Sequence, residues 1–174
     1  MTYRKICLLG ASAVGKTSLV RRYVHGKFSE IYRTTIGVQI DRREVALGER
    51  CVSLVIWDLE GDDAFAQLQV SYLRGAAGYL LVADGTRAAT VDTALRLDHR
   101  ARAALGDRPH MLLLNKLDLF DEWEISDREI ARLWRQGHRI ERCSAKSGAG
   151  VDEAFAQLTR EMVAPGLSAG SHAP

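Results

Sequence analysis

A lysine and a threonine close a glycine-rich octet, Gly10-Ala11-Ser12-Ala13-Val14-Gly15-Lys16-Thr17, which fits the pattern GxxxxGK[ST] in full. The chemistry of that pattern is phosphate binding. Its small residues let successive backbone N–H groups, from Ser12 through Gly15 and on to Ser18, turn inward around phosphate oxygens. A helix opening on the last residues adds the positive end of its dipole. The Lys16 ammonium reaches β- and γ-phosphates, and the Thr17 hydroxyl is a ligand for Mg²⁺.

Two further groups read a base. In Asn115-Lys116-Leu117-Asp118 the Asp118 carboxylate can accept two parallel hydrogen bonds, from N1–H and the 2-amino group of guanine. Adenine has neither donor there, and a charged acceptor left unpaired costs about 1–3 kcal/mol or more. In Ser144-Ala145-Lys146 the Ala145 N–H can donate to guanine O6. A fourth group, Asp58-Leu59-Glu60-Gly61, offers an aspartate for Mg²⁺ through a water and a glycine N–H for a γ-phosphate.

These groups need elements that bring them to one edge. Ile6 to Leu9 reads as a buried strand ending at Gly10, and Lys16 to Val24 as the first helix, with Leu19/Tyr23 and Val20/Val24 as i,i+4 pairs. Gly26 to Gly37 has no apolar period and reads as a long loop. Val38 to Leu47 and Cys51 to Trp57 flank Gly48-Glu49 as a hairpin. Phe65 to Leu73 is weakly helical, Tyr79 to Ala83 a strand, Thr90 to Leu105 a helix and Met111 to Leu114 a strand. Ser126 and Glu129 form a capping box before a helix with Ile130, Leu133 and Trp134 on one face. Arg139 to Cys143 is a last strand, and Val151, Ala154, Phe155, Leu158 and Met162 mark a last amphipathic helix. Strand–helix alternation of this kind gives a mostly parallel sheet with helices on both faces. Ligands of such sheets sit outside the carboxyl ends of the strands, which is where the four groups fall.

Composition narrows the rest. The chain has 174 residues, 47% hydrophobic and 26% charged, which suits one domain with a core of its own. The expected layout is a domain over residues 1–163 and a disordered tail over 164–174, rich in Gly, Ser and Pro. A net charge of +2, from 24 basic and 22 acidic residues, argues against nucleic acid as a partner and against bulk attraction to anionic lipid. Cys7, Cys51 and Cys143 form no CxxC pair and read as core thiols of a reducing compartment, so a cytoplasmic location is expected. Trp57 and Trp134 read as packing residues. Neither terminus carries a lipid-acceptor signal, so no direct lipid anchor is expected.

Taken in order and spacing, GASAVGKT, YRTTIGV from Tyr32 to Val38, WDxxG from Trp57 to Gly61, NKLD and SAK resemble the Ras superfamily of small GTPases, most closely its Rab branch. The resemblance covers roughly residues 3 to 162. It implies a three-layer α/β fold, a P-loop G domain, whose six-stranded sheet has one antiparallel strand (Val38 to Leu47) and five flanking helices. It implies Mg²⁺ held by Thr17 and Thr35 directly, with Asp58 behind. It implies Phe28 edge-on to guanine, Lys116 over the base, and nucleotide contacts from Ser12, Ala13, Val14, Gly15, Lys16, Thr17, Ser18, Gly61, Asn115, Asp118, Ser144, Ala145 and Lys146. Effector, activating and exchange proteins are the implied partners.

One departure bears on chemistry. Where the family places a water-orienting glutamine, this chain has Asp62, with Glu60 and Asp63 on either side of the pair Gly61-Asp62. Lys16, Gly61 and Asp62 are therefore the catalytic candidates, with intrinsic hydrolysis expected to be slow. Two functions remain open on the sequence: a GTP-driven switch with slow turnover, or a binding module that holds nucleotide without turnover.

Overall fold

A computed structural model describes residues 2–31, 35–59 and 71–164. Its elements are β1 (Thr2–Leu9), α1 (Lys16–His25), β2 (Val38–Leu47), β3 (Arg50–Leu59), β4 (Gly78–Asp84), α2 (Ala89–Leu105), β5 (His110–Asn115), α3 (Asp127–Arg135), β6 (Ile140–Arg142) and α4 (Val151–Val163). The six strands form one sheet in the order β2-β3-β1-β4-β5-β6. Only the β2–β3 pair is antiparallel, as the hairpin across Gly48-Glu49 requires.

Alternation along the central strands splits the core in two. Ile6 and Leu8 of β1 with Leu80 and Val82 of β4 pack against α1 and α4. Cys7 and Leu9, with Tyr79, Leu81 and Ala83, pack against α2 and α3. Both faces are covered, so β4 is buried at every position, the pattern of a parallel strand between helix layers. Each large aliphatic side chain buried this way contributes about 1.5–3 kcal/mol relative to exposure.

The expected three-layer architecture is therefore present, with β2 over the predicted Val38 to Leu47. The strand β1 begins earlier than Ile6, because Thr2 to Lys5 pair with Val52 to Val55. Four α-helices lie among the described residues. The expected helix over Phe65 to Leu73 falls mostly outside them, with residues 71–73 helical. Residues 165–174 of the expected tail also lie outside them.

Two packing expectations are corrected. Cys51 is exposed, near the turn end of the hairpin, where it pairs with Ala46 of the edge strand. Trp134 is 61% exposed while Ile130 and Leu133 are buried. The buried stripe of α3 centres between those two, and Trp134 lies about 100° from Leu133 on the outer side. The cap of α3 is as expected, with Ser126 Oγ accepting from Glu129 N–H at 3.2 Å.

Register gathers the polar strand ends. Asp58 stands beside Leu8 across β1–β3, and Asp84 is paired with Asn115 across β4–β5. These residues end at one sheet edge, which the glycine-rich loop after β1 overlies.

Candidate functional site

A cavity of about 400 Å³ opens at that edge. The loop between β1 and α1 forms one wall. Val14 roots it, fully buried in the core against the sheet. Ser12 and Ala13 project to the cavity side. Ala13 has φ of 60°, a left-handed conformation that costs an alanine about 1–2 kcal/mol. Gly15, at φ of 98°, tolerates no side chain, since a Cβ there would meet Asn115 Nδ2 at 2.3 Å.

Lys16 crosses the loop from inside. Its Nζ donates to Gly10 O at 2.9 Å and to Ala11 O at 2.8 Å. Burial lowers its pKa to about 8, against the pull of Asp58. An ammonium has three N–H donors, so one remains for a phosphate oxygen.

Three oxygens converge beside it. Thr17 Oγ1 lies 2.5 Å from Thr35 Oγ1 and donates to Asp58 Oδ2 at 2.5 Å. Asp58 Oδ1 is buried without a hydrogen-bond partner among the described residues. Burial pushes the Asp58 carboxyl above its ordinary range, while Thr17 and Lys16 oppose that shift. Mg²⁺ fits this group. The donors are all oxygen, the ion's preferred ligand, and a positive ion would answer the unpartnered carboxylate oxygen. Among the described residues no cluster of three His, Cys, Asp or Glu side chains suits a metal.

The opposite wall is the base side. Asn115 is 2% exposed and braces two loops at once. Its Nδ2 donates to Val14 O at 2.9 Å, and its Oδ1 accepts from Ala145 N–H at 3.1 Å. Asp118 reaches the cavity from a 3₁₀ segment, Leu117–Glu122, which the sequence reading did not foresee. Ser144 Oγ donates to Asp118 Oδ1 at 2.5 Å. Lys116 lines the cavity, with φ of 72° turning the chain from β5 into the 3₁₀ segment. Phe28 lines the cavity and also packs against the core. Lys146 closes the mouth through an ion pair with Glu30 at 3.2 Å.

Of the residues expected at the site, Ser12, Ala13, Gly15, Lys16, Thr17, Ser18, Phe28, Thr35, Asn115, Lys116, Asp118, Ala145 and Lys146 line this one cavity. Val14, Asp58 and Ser144 stand behind its wall, each through the contacts above. Glu60, Gly61, Asp62 and Asp63 lie outside the described residues, as do Tyr32, Arg33 and Thr34.

The sequence reading missed a hub beneath the base side. Asp84 is fully buried. Its Oδ2 takes Lys116 Nζ at 2.7 Å and Arg87 Nε at 2.9 Å, and its Oδ1 takes the Thr86 N–H and hydroxyl. Burial raises its pKa, but the bonds from Lys116, Thr86 and Arg87 outweigh that and hold it below the ordinary value. A carboxylate closing the apolar run Tyr79 to Ala83 was the available signal, since a buried charge needs partners. Arg22 of α1 was missed too; its Nε donates to Ala145 O at 2.8 Å.

Comparison with known proteins agrees with the geometry. A family model described as the Ras family matches residues 5–164. Ras-related protein Rab-13 of Rattus norvegicus is 33% identical, the match covering 91% of this chain and 79% of that protein. Ras-related protein Rab-8B of Homo sapiens is 34% identical over 91% of this chain and 78% of its own length. Ras-related protein RABA3 of Arabidopsis thaliana is also 34% identical, over 91% and 68%.

Proposed function

The chain belongs to the Ras family and is Rab-like, and from that premise we propose that it is a guanine-nucleotide switch that holds GTP or GDP with Mg²⁺ and hydrolyses GTP slowly. One observation carries the base assignment. Asp118 lines one cavity with the phosphate loop, and Asn115 braces the two sides by holding Val14 O and the Ala145 N–H. A carboxylate acceptor at that place complements N1–H and the 2-amino group of guanine, and it opposes adenine.

Thr17, Thr35 and Asp58 hold the Mg²⁺, which when bound neutralises charge on the β- and γ-phosphate oxygens. Lys16 gives its third donor to the same phosphates. Thr35 ties the loop after α1 to this point, so loss of the γ-phosphate frees that loop, a disorder–order change of the switch kind. Beside Thr35, Ile36 is 87% exposed and Ile40, on the sheet's edge strand, 49%. That apolar edge suits an effector that reads the nucleotide state.

The slow rate rests on Asp62. A glutamine amide both accepts from the attacking water and donates to phosphoryl oxygens; a carboxylate only accepts. An activating protein that brings an arginine would supply the missing positive group, and an exchange protein would release the product. Residence in the cytoplasm is part of the proposal, supported by buried free thiols at Cys7 and Cys143. Among the described residues no helix is long and apolar enough to cross a membrane.

The test is competition binding of GTP, ATP and XTP on the wild-type chain. GTP is expected to win by at least about a hundredfold, since an unpaired buried polar group discriminates on that scale or beyond. Equal binding of ATP would overturn the base assignment.

A further inference from the structure

Arg87 is not part of the cavity wall, yet it touches the phosphate loop. Its Nε donates to the buried Asp84 carboxylate at 2.9 Å, and its Nη2 donates to Ser12 O at 3.0 Å. The same carboxylate holds Lys116 of the base side. We propose that Arg87 is a positioning residue for nucleotide retention: it pins the Ser12–Ala13 peptide so that the Ala13 N–H faces the phosphates. This rests on the nucleotide-binding reading above.

Peptide geometry links the two contacts. A planar trans peptide points its C=O and N–H to opposite sides. Holding Ser12 O outward therefore turns the next N–H, that of Ala13, inward. The adjoining Ala13 needs such a restraint. Its φ of 60° is a conformation that L side chains leave readily, and strained backbone persists only where its surroundings over-determine it. Asn115 does the equivalent two peptides further on, holding Val14 O at 2.9 Å. Lys16 holds Gly10 O and Ala11 O from within. Without Arg87, the Ser12 carbonyl loses a clamp that joins it to the base side through Asp84.

The guanidinium is suited to this and an ammonium is not. The fork of Nε and Nη2 bonds a carboxylate and a carbonyl at fixed separation. A lysine at the position would keep the charge beside Asp84 without reaching both oxygens.

The experiment measures release of a fluorescent GDP analogue, with Mg²⁺ present, from wild type, Arg87→Ala, Arg87→Lys, Ala13→Gly and the double variant Arg87→Ala/Ala13→Gly. Release should quicken about tenfold in Arg87→Ala, the scale of one hydrogen bond to a charged group at a half-exposed site. Arg87→Lys should release nearly as fast as Arg87→Ala. In the Ala13→Gly background, where the left-handed conformation is free of strain, removing Arg87 should have a clearly smaller effect. Thermal melts with saturating GDP and the GDP-to-ADP preference, measured on each variant, show whether the domain and base site are intact. Unchanged release in Arg87→Ala overturns the proposal. So does full rescue by Arg87→Lys, which would make neutralisation of Asp84 the whole role, and so does an equal effect in both backgrounds. A wild-type chain that takes up no GDP would instead overturn the nucleotide reading itself.

Discussion

Ser144 Oγ donates a 2.5 Å hydrogen bond to Asp118 Oδ1, joining the loop after β6 to the 3₁₀ segment after β5. The bond fixes the plane of the carboxylate that lines the cavity. A carboxylate oxygen has more than one lone-pair site, so this bond orients Asp118 without using up its acceptor capacity.

Base choice should follow from Asp118. Asp118→Asn should move the preference from guanine to xanthine nucleotides, because the side-chain amide can donate to the 2-oxo group. Ser144→Ala should keep guanine preference and weaken GTP binding about fivefold, near 1 kcal/mol for one orienting hydrogen bond. Titration of both variants with GTP and XTP checks this; an Asp118→Asn chain that still prefers GTP would contradict it.

The Mg²⁺ group should separate triphosphate from diphosphate. Thr17 contacts both Thr35 and Asp58, so Thr17→Asn disturbs all three. The variant should lose affinity for GTP more than for GDP, because the triphosphate leans more on the ion. Chelating the metal should speed release of either nucleotide in the wild type. Dissociation rates for both nucleotides decide it, and equal losses would count against the assignment.

Lysine 16 gives a pH signature. Its pKa in the free protein is about 8, lowered by burial, and bound phosphate raises it again. Above pH 8 the bound state therefore holds more protons than the free state, so binding takes up a proton. Affinity should be flat below that pH and fall by up to about tenfold per unit above it. GDP titrations between about pH 7 and 9 check this in a window where guanine N1–H stays mostly protonated. A flat profile would place Lys16 at its ordinary value.

Much of this was legible in the residues. The octet from Gly10 to Thr17 declares its own context, and strands ending at Asp58 and Asn115 had to meet at one edge once the sheet was parallel. Asp118, singled out because a carboxylate there would suit one base, does line the cavity. What sequence could not show were bonds made across long separations. Arg87 has no motif, and its reach of 75 residues to Ser12 O is a product of packing. Trp134 was misassigned because a helical pattern gives the period of a buried stripe more sharply than its centre. The 3₁₀ segment was hidden because Leu117–Glu122 is six residues long, too short for the pair Leu117 and Phe120 to stand out as a helical period.

A second titration concerns the fold itself. Burial lowers the His138 pKa, with Arg102 and His110 acting the same way and Asp98, 3.8 Å away, opposing. Unfolding restores its ordinary value of 6.5, so below that pH the unfolded chain binds more protons than the folded one. This contribution to stability is present above pH 6.5 and is lost as pH falls. His138→Asn should therefore lose less stability than wild type between about pH 7.5 and 5.5. Paired thermal melts at the two pH values are the check, and parallel losses would remove His138 from the account.

On the proposed function, GTP turns over slowly because of Asp62. Single-turnover hydrolysis of preloaded GTP tests it most directly, with wild type beside Asp62→Gln and Asp62→Ala. The account predicts GDP and phosphate from the wild type at a low rate, and a clear gain in Asp62→Gln, which restores an amide donor. Wild-type protein that keeps its GTP intact throughout would show a binding module without turnover, and a wild-type rate well above both variants would show that Asp62 promotes the reaction; either result contradicts the account.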